Sequence, residues 1–154
     1  MKMLFFLLTM LNILFGQSLT AQVNYHLVWS DEFDYTGIPD QASWSYEVGD
    51  HGWGNNEIQN YTSSPENAQV SDGKLIIRAI KKNGSWTSAR LITKNKVDFL
   101  YGKMEIRAKL PIGKGTWPAI WMLPTDWQYG GVAARGGKGI LGKVGFDTGV
   151  LNCY

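Results

Sequence analysis

Apolar and polar residues alternate most cleanly in "YGKMEIRAKL", residues 101–110, where Met104, Ile106, Ala108 and Leu110 interleave with Lys103, Glu105, Arg107 and Lys109. A period of two with one wet face predicts a β-strand, ended by Pro111 and Gly113. "TWPAIWML", residues 116–123, is apolar on both faces and predicts a central strand. "SDGKLIIRAIKK", residues 71–82, reads as an Asp-Gly turn followed by a strand. Leu75, Ile77 and Ala79 point one way along it, Lys74 and Arg78 the other. "NGS", residues 83–85, is a hairpin signal, with "SARLIT", residues 88–93, as the return strand. "YHLVWSDEF", residues 25–33, starts as a strand and ends at a turn, and residues 36–48 read as irregular. No segment holds a helical period over three turns. Short strands between Gly and Pro turns predict an all-β sandwich. Such sandwiches often need about 200–250 residues, and this chain of 154 stops at "GVLNCY" without a terminating turn. It reads as a fragment, incomplete at the C-terminus, because a half-built sandwich leaves strand edges unpaired.

The first residues change the picture of where the chain works. Lys2 is followed by an apolar run from Met3 to Phe15, broken only by Thr9 and Asn12, and then by small and polar residues up to Ala21. That is the pattern of a signal peptide over residues 1–21, with residues 22–154 as the mature part. The other reading, a short membrane anchor, meets the objection that a run this short does not span about 30 Å of hydrocarbon as a helix. The expectation is a secreted, periplasmic or envelope protein of bacterial type, with no membrane contact after cleavage. The formal charge of +2 falls to +1 when Lys2 leaves, so nothing in the balance points to nucleic acid. Cys153 is the sole cysteine, which excludes an intrachain disulfide and a cysteine-based metal site. The Asn-x-Ser/Thr sequons at Asn60 and Asn83 are short enough to arise by chance.

All seven tryptophans lie after residue 21, and those beside Gly, Asn or Asp in turn-like sequence suggest an exposed stacking surface as well as a core. Trp117 and Trp121 are four apart and share a face of an extended strand, either as core or as a platform for sugar rings. "GKGILGK", Gly137 to Lys143, nearly spells a phosphate loop. Val144 stands where Ser or Thr should hold magnesium, no strand leads into it and no helix follows, so chance is the better reading.

Five phrases then line up in order: "LVWSDEFDYTGIPDQASWSYE", "WGNNEIQNYT", "NAQVSDGKLIIRA", "TSARLITKNKVDFLYGKMEIRAKLPIGKGTWPAIWMLP" and "VGFDTG". Together they resemble glycoside hydrolase family 16, and within it the bacterial laminarinase-type β-glucanases, over roughly residues 27–131 and again at Val144–Gly149. The resemblance implies a jelly roll of the concanavalin A-like lectin and glucanase type, its concave face holding a β-1,3 or mixed-linkage β-glucan cleaved internally with retention. It implies that Asn55 and Arg90 bond to glucan hydroxyls, where residues alone would read as a turn Asn and a solvated strand-end Arg. It implies sugar contacts at Trp117 and Trp121 and cleft rims at Trp53 and Trp127. No cofactor is required. Glu32 and the Gly73 carbonyl resemble a structural calcium site on the convex face, although calcium needs six or more oxygens. The partner implied is β-glucan, bound by a monomer.

The catalytic strand of the family should follow "YGG". A retaining glycosidase needs two carboxyls about 5–5.5 Å apart, one nucleophile and one acid/base. The twelve residues "VAARGGKGILGK", 132–143, match the family pattern in number but not in content. Gly137 falls at the nucleophile, Gly139 at the intervening Asp and Gly142 at the acid/base, and no carboxylate lies between Asp126 and Asp147. Three second-base changes would turn those codons to Gly. A short out-of-frame stretch would also replace the pattern's Trp by Val132 and its His by Lys143. Several Gly within a central strand is poor strand chemistry. The expectation is a family enzyme inactive as written. The alternatives are a non-catalytic β-glucan-binding module and a non-functional gene fragment.

Overall fold

The computed structural model describes residues 24–125 and, for the backbone alone, residues 142–150. Residues 1–21, read above as a signal peptide, and Trp127, Gly137 and Gly139 lie outside them. The described residues form nine strands and one 3₁₀ turn at Gly52–Gly54, an all-β jelly-roll architecture as expected. β1 (Ser45–Glu47), β7 (Arg90–Ile92), β9 (Gly142–Val150) and β8 (Thr116–Pro124) make a four-stranded antiparallel sheet in the order β1-β7-β9-β8. β2 (Gln59–Tyr61), β6 (Ser85–Ser88) and β5 (Ile80–Lys82) make a second sheet, and β3 (Ala68–Ser71) pairs with β4 (Lys74–Ile77) in a third.

Local chemistry accounts for the two tight turns. Asp72 and Gly73 have φ 54° and 68°, and Asn83 and Gly84 have φ 51° and 84°. Two consecutive left-handed residues make the turn whose twist matches paired strands, and Asn-Gly and Asp-Gly reach it at little cost. The first closes β3 onto β4, the second β5 onto β6.

The core forms where inward faces meet. Trp44, Ala68, Ala89 and Leu91 are buried together, with Trp29, Phe33, Tyr46, Leu75 and Ile77 packed against them. Asp31 organises this aromatic cluster, accepting hydrogen bonds from the Trp44 indole N–H at 2.8 Å, the Phe33 N–H at 3.0 Å and the Tyr35 hydroxyl at 3.3 Å. Lys96 donates to the Trp44 carbonyl at 2.7 Å, and also to that of Gln41, closing the start of β1.

Several expectations need correction. Residues 25–33 form no strand: Tyr25, Leu27 and Val28 are exposed, and Trp29 joins the core by ring contacts with Trp44 and Phe99. The turn expected at its end is present, with Phe33 at φ 56°. Residues 36–48, read as irregular, contain β1. The run 71–82 is not one strand, because the chain leaves the β3–β4 pair after Ile77 and enters another sheet at Ile80. The hairpin's return strand is Ser85–Ser88 rather than 88–93, and β7 pairs in the four-stranded sheet instead. Residues 101–110 carry no ladder, despite their clean alternation. Alternation reports which faces differ; a ladder also needs a neighbouring backbone, and none among the described residues is paired with it. β8 stands at the edge of its sheet, not the centre. Two apolar faces call for cover above and below, which is separate from having strands on both sides.

Tyr46 sits on the core face of β1, and its hydroxyl is buried with no hydrogen-bond partner among the described residues. Burial raises its pKa above the ordinary tyrosine value. The folded state therefore holds this proton more tightly than the unfolded chain, so stability is level below about pH 10 and falls as pH climbs through the raised value. Tyr46→Phe removes an unsatisfied hydroxyl. It is expected to stabilise the fold by about 1 kcal/mol and to flatten part of the alkaline slope in thermal melts from pH 8 to 11.

Candidate functional site

The site grows from the register of β1 against β7. Glu47 lies directly opposite Arg90, and Tyr46 opposite Leu91. Side chains alternate along strands, so Leu91 and Tyr46 face the core while Glu47 and Arg90 face away from it. β9 continues the row by backbone pairing, with Arg90 registered on Asp147 and Asp147 on Ala119. Trp117 and Trp121 are two residues either side of Ala119 on β8, and therefore share the Arg90 face.

Arg90 is the centre of this face. Its Nε donates to Glu47 Oε2 at 2.7 Å. Its guanidinium carbon lies 4.4 Å from the Trp121 ring centroid, 4.8 Å from that of Trp53 and 6.0 Å from that of Tyr61. A planar cation held near two indole faces is stabilised by their quadrupoles, by about 0.5–2 kcal/mol each according to desolvation. Trp117 remains 47% exposed, which leaves aromatic surface open to solvent on the same face.

Trp53 reaches Arg90 from the loop between β1 and β2. Its backbone takes φ 49°, rare for a bulky residue, within the turn Gly52–Gly54. Three contacts hold that conformation: its indole N–H donates to the Gly49 carbonyl at 3.1 Å, the His51 ring lies tilted against it at 4.2 Å, and Tyr61 meets it edge-on at 5.4 Å. Beneath lies Glu57, a buried carboxylate accepting from Gln59 Nε2 at 2.5 Å, the Tyr61 hydroxyl at 2.8 Å and Asn55 Nδ2 at 3.2 Å. Charge-assisted bonds of this kind are about twice as strong as neutral ones and fix the loop on β2.

Of the residues singled out in the sequence, Trp53 and Trp121 both lie against Arg90, and Trp117 shares the face of Arg90 and Trp121. Asn55 is exposed on the Trp53 loop, its amide engaged by Glu57. Trp127 lies outside the described residues, as do Gly137 and Gly139, while Gly142 begins β9 and is registered on Pro124. Glu32 and Gly73 are exposed, and the described residues hold no group of three or more His, Cys, Asp or Glu that could bind a metal. One carboxylate and one carbonyl fall short of the six or more oxygens calcium takes, so the residues described do not fit it. Glu47 and Glu57 were not singled out from the sequence. Glu47 had a usable signal, since "WSYE" alternates aromatic and polar residues from Trp44 onward. Glu57 had none, because a buried carboxylate in "NNEIQNY" looks like any turn Glu.

Fold and face together define a jelly roll with an aromatic, guanidinium-centred face on one sheet. The sequence profile described as Glycosyl hydrolases family 16 matches residues 55–131, half of the chain, and the protein belongs to that family. It is 50% identical over 135 residues to a β-glucanase of Rhodothermus marinus, covering 84% of this chain and 47% of that protein. It is 30% identical over 165 residues to a β-1,3-glucan-binding protein of Penaeus monodon, covering 79% and 44%. The crystal structure of the laminarinase from Rhodothermus marinus superimposes with a TM-score of 0.65 and 57% identity, over 71% of this chain and 45% of that one. The chain thus spans about half the length of these relatives.

Proposed function

We propose that the face centred on Arg90 binds a β-1,3 or mixed-linkage β-glucan, and that the chain descends from an endo-acting, retaining glucanase but does not cut as written. The observation that carries this reading is the Arg90 guanidinium placed 4.8 Å from Trp53 and 4.4 Å from Trp121, on the same sheet face as the half-exposed Trp117. Pyranose rings present flat C–H faces to indoles, while their hydroxyls take hydrogen bonds from a fixed donor such as guanidinium. The relatives named above, a β-glucanase and a β-1,3-glucan-binding protein, support the same ligand class.

Retaining hydrolysis needs a nucleophile to form the glycosyl-enzyme bond and an acid to protonate the departing oxygen, then to take a proton from the incoming water. Gly137, Gly139 and Gly142 supply none of these groups. The apolar run near the start of residues 1–21 supports export, towards where β-glucans occur. The second reading, a binding module that never cuts, rests on the same missing carboxylates. Reading the coding DNA in all frames across residues 130–145 separates the two. An overlapping frame encoding Glu-x-Asp-x-x-Glu supports the glucanase, whereas undisturbed Gly codons support the module. In assay, the full chain is expected to migrate more slowly in native gels cast with laminarin and to release no reducing sugar from it. Unaltered migration, or sugar release, would contradict this.

A further inference from the structure

The geometry points to Glu47 as the residue that positions Arg90, so that the guanidinium keeps Trp53 and Trp121 held on either side of it on this face; this rests on the glucan-binding reading for its effect on ligand. Three ion pairs occur among the described side chains, and their exposure separates them. Lys82–Glu66 is 64% exposed on both partners, and Lys103–Glu105 is 55% and 78% exposed, so water and salt screen both. Arg90–Glu47 is 16% and 25% exposed, and is made at 2.7 Å between residues directly opposed on neighbouring strands. It is the pair built to hold a geometry.

The bond also falls on an informative atom. Nε lies in the guanidinium plane and is its link to the side-chain stem. A carboxylate fixed against Nε–H therefore sets the plane's orientation, while a flexible Arg would spread over many rotamers. With Glu47 on β1, Arg90 on β7, Trp121 on β8 and Trp53 on the β1–β2 loop, this bond ties together four separate parts of the chain. A face whose side chains are already held before ligand arrives avoids the ordering cost at binding.

The test uses the full chain labelled with 5-fluorotryptophan, which reports its seven indoles as separate fluorine signals, with Trp53 and Trp121 assigned by Trp→Phe variants. In Glu47→Ala the signals of Trp53 and Trp121 are expected to move, and that of Trp86, on β6 of the second sheet and assigned in the same way, to stay. Retention in laminarin gels should weaken up to about tenfold, because an Arg90 no longer held must be ordered when ligand binds. Glu47→Gln, which can still accept from Nε–H, should keep retention within about threefold of wild type. Unmoved Trp53 and Trp121 signals in Glu47→Ala overturn the proposal, as does Glu47→Gln behaving like Glu47→Ala. If Glu47→Ala collapses all seven signals, Glu47→Asp decides: shifts confined to Trp53 and Trp121 support the role, and unmoved signals overturn it. A wild-type chain that laminarin does not retard overturns the glucan reading, and the fluorine signals alone then decide the positioning role.

Discussion

Replacing Arg90 by alanine is expected to weaken retention on a β-1,3-glucan by about 30- to 100-fold. Two indole contacts of the guanidinium are lost, together with the Glu47 ion pair that is mostly shielded from water. Those contacts hold the side chain in place; what the ligand loses is the guanidinium's hydrogen bonds to its hydroxyls, about 2–3 kcal/mol for a charged donor, and each 1.4 kcal/mol is tenfold in affinity. Arg90→Lys separates charge from shape. A lysine restores the cation but cannot lie flat between two rings, so retention should stay about tenfold below wild type. Circular dichroism on both variants checks that the sheet persists. Equal retention by wild type and Arg90→Ala would mean that Arg90 is a framework residue.

The other large effect is expected in the core. Trp44→Ala should destabilise the fold by about 3–5 kcal/mol, read as a drop in the urea midpoint. Trp44 is 2% exposed, meets Trp29 and Phe33 ring to ring, and gives its indole N–H to Asp31. Small domains have about 5–15 kcal/mol in total, so this one change approaches the whole margin. Trp44→Phe keeps most of the packing but leaves Asp31 one donor short, and should cost less than half as much. A midpoint unchanged in Trp44→Ala would show that the aromatic cluster is not what holds the sheets together.

These two residues illustrate what the sequence made legible. Local chemistry was readable. Asp72-Gly73 and Asn83-Gly84 announced their turns because left-handed φ is a property of the two residues themselves. Trp117 and Trp121 declared a common face through their spacing alone. Partnership was not readable. β1 is three residues long, and its identity as a strand depends on β7, whose Arg90 lies 43 residues after Glu47. The segment 101–110 has the better pattern and no ladder, since pairing is decided by which backbone lies alongside. Arg90 looked like a solvated strand-end residue, because nothing near it in sequence reveals Trp53 and Trp121 closing in from a loop and another strand. The family resemblance supplied what periodicity could not, the expectation that these distant residues meet.

The central claim is that one sheet face of this protein holds β-glucan chains although the positions expected to cut them carry glycine. Native gel electrophoresis of the full chain through laminarin tests it most directly, with a gel lacking polysaccharide as reference. The account predicts retarded migration that Arg90→Ala restores towards the reference. Identical migration of the wild-type chain in both gels would contradict it.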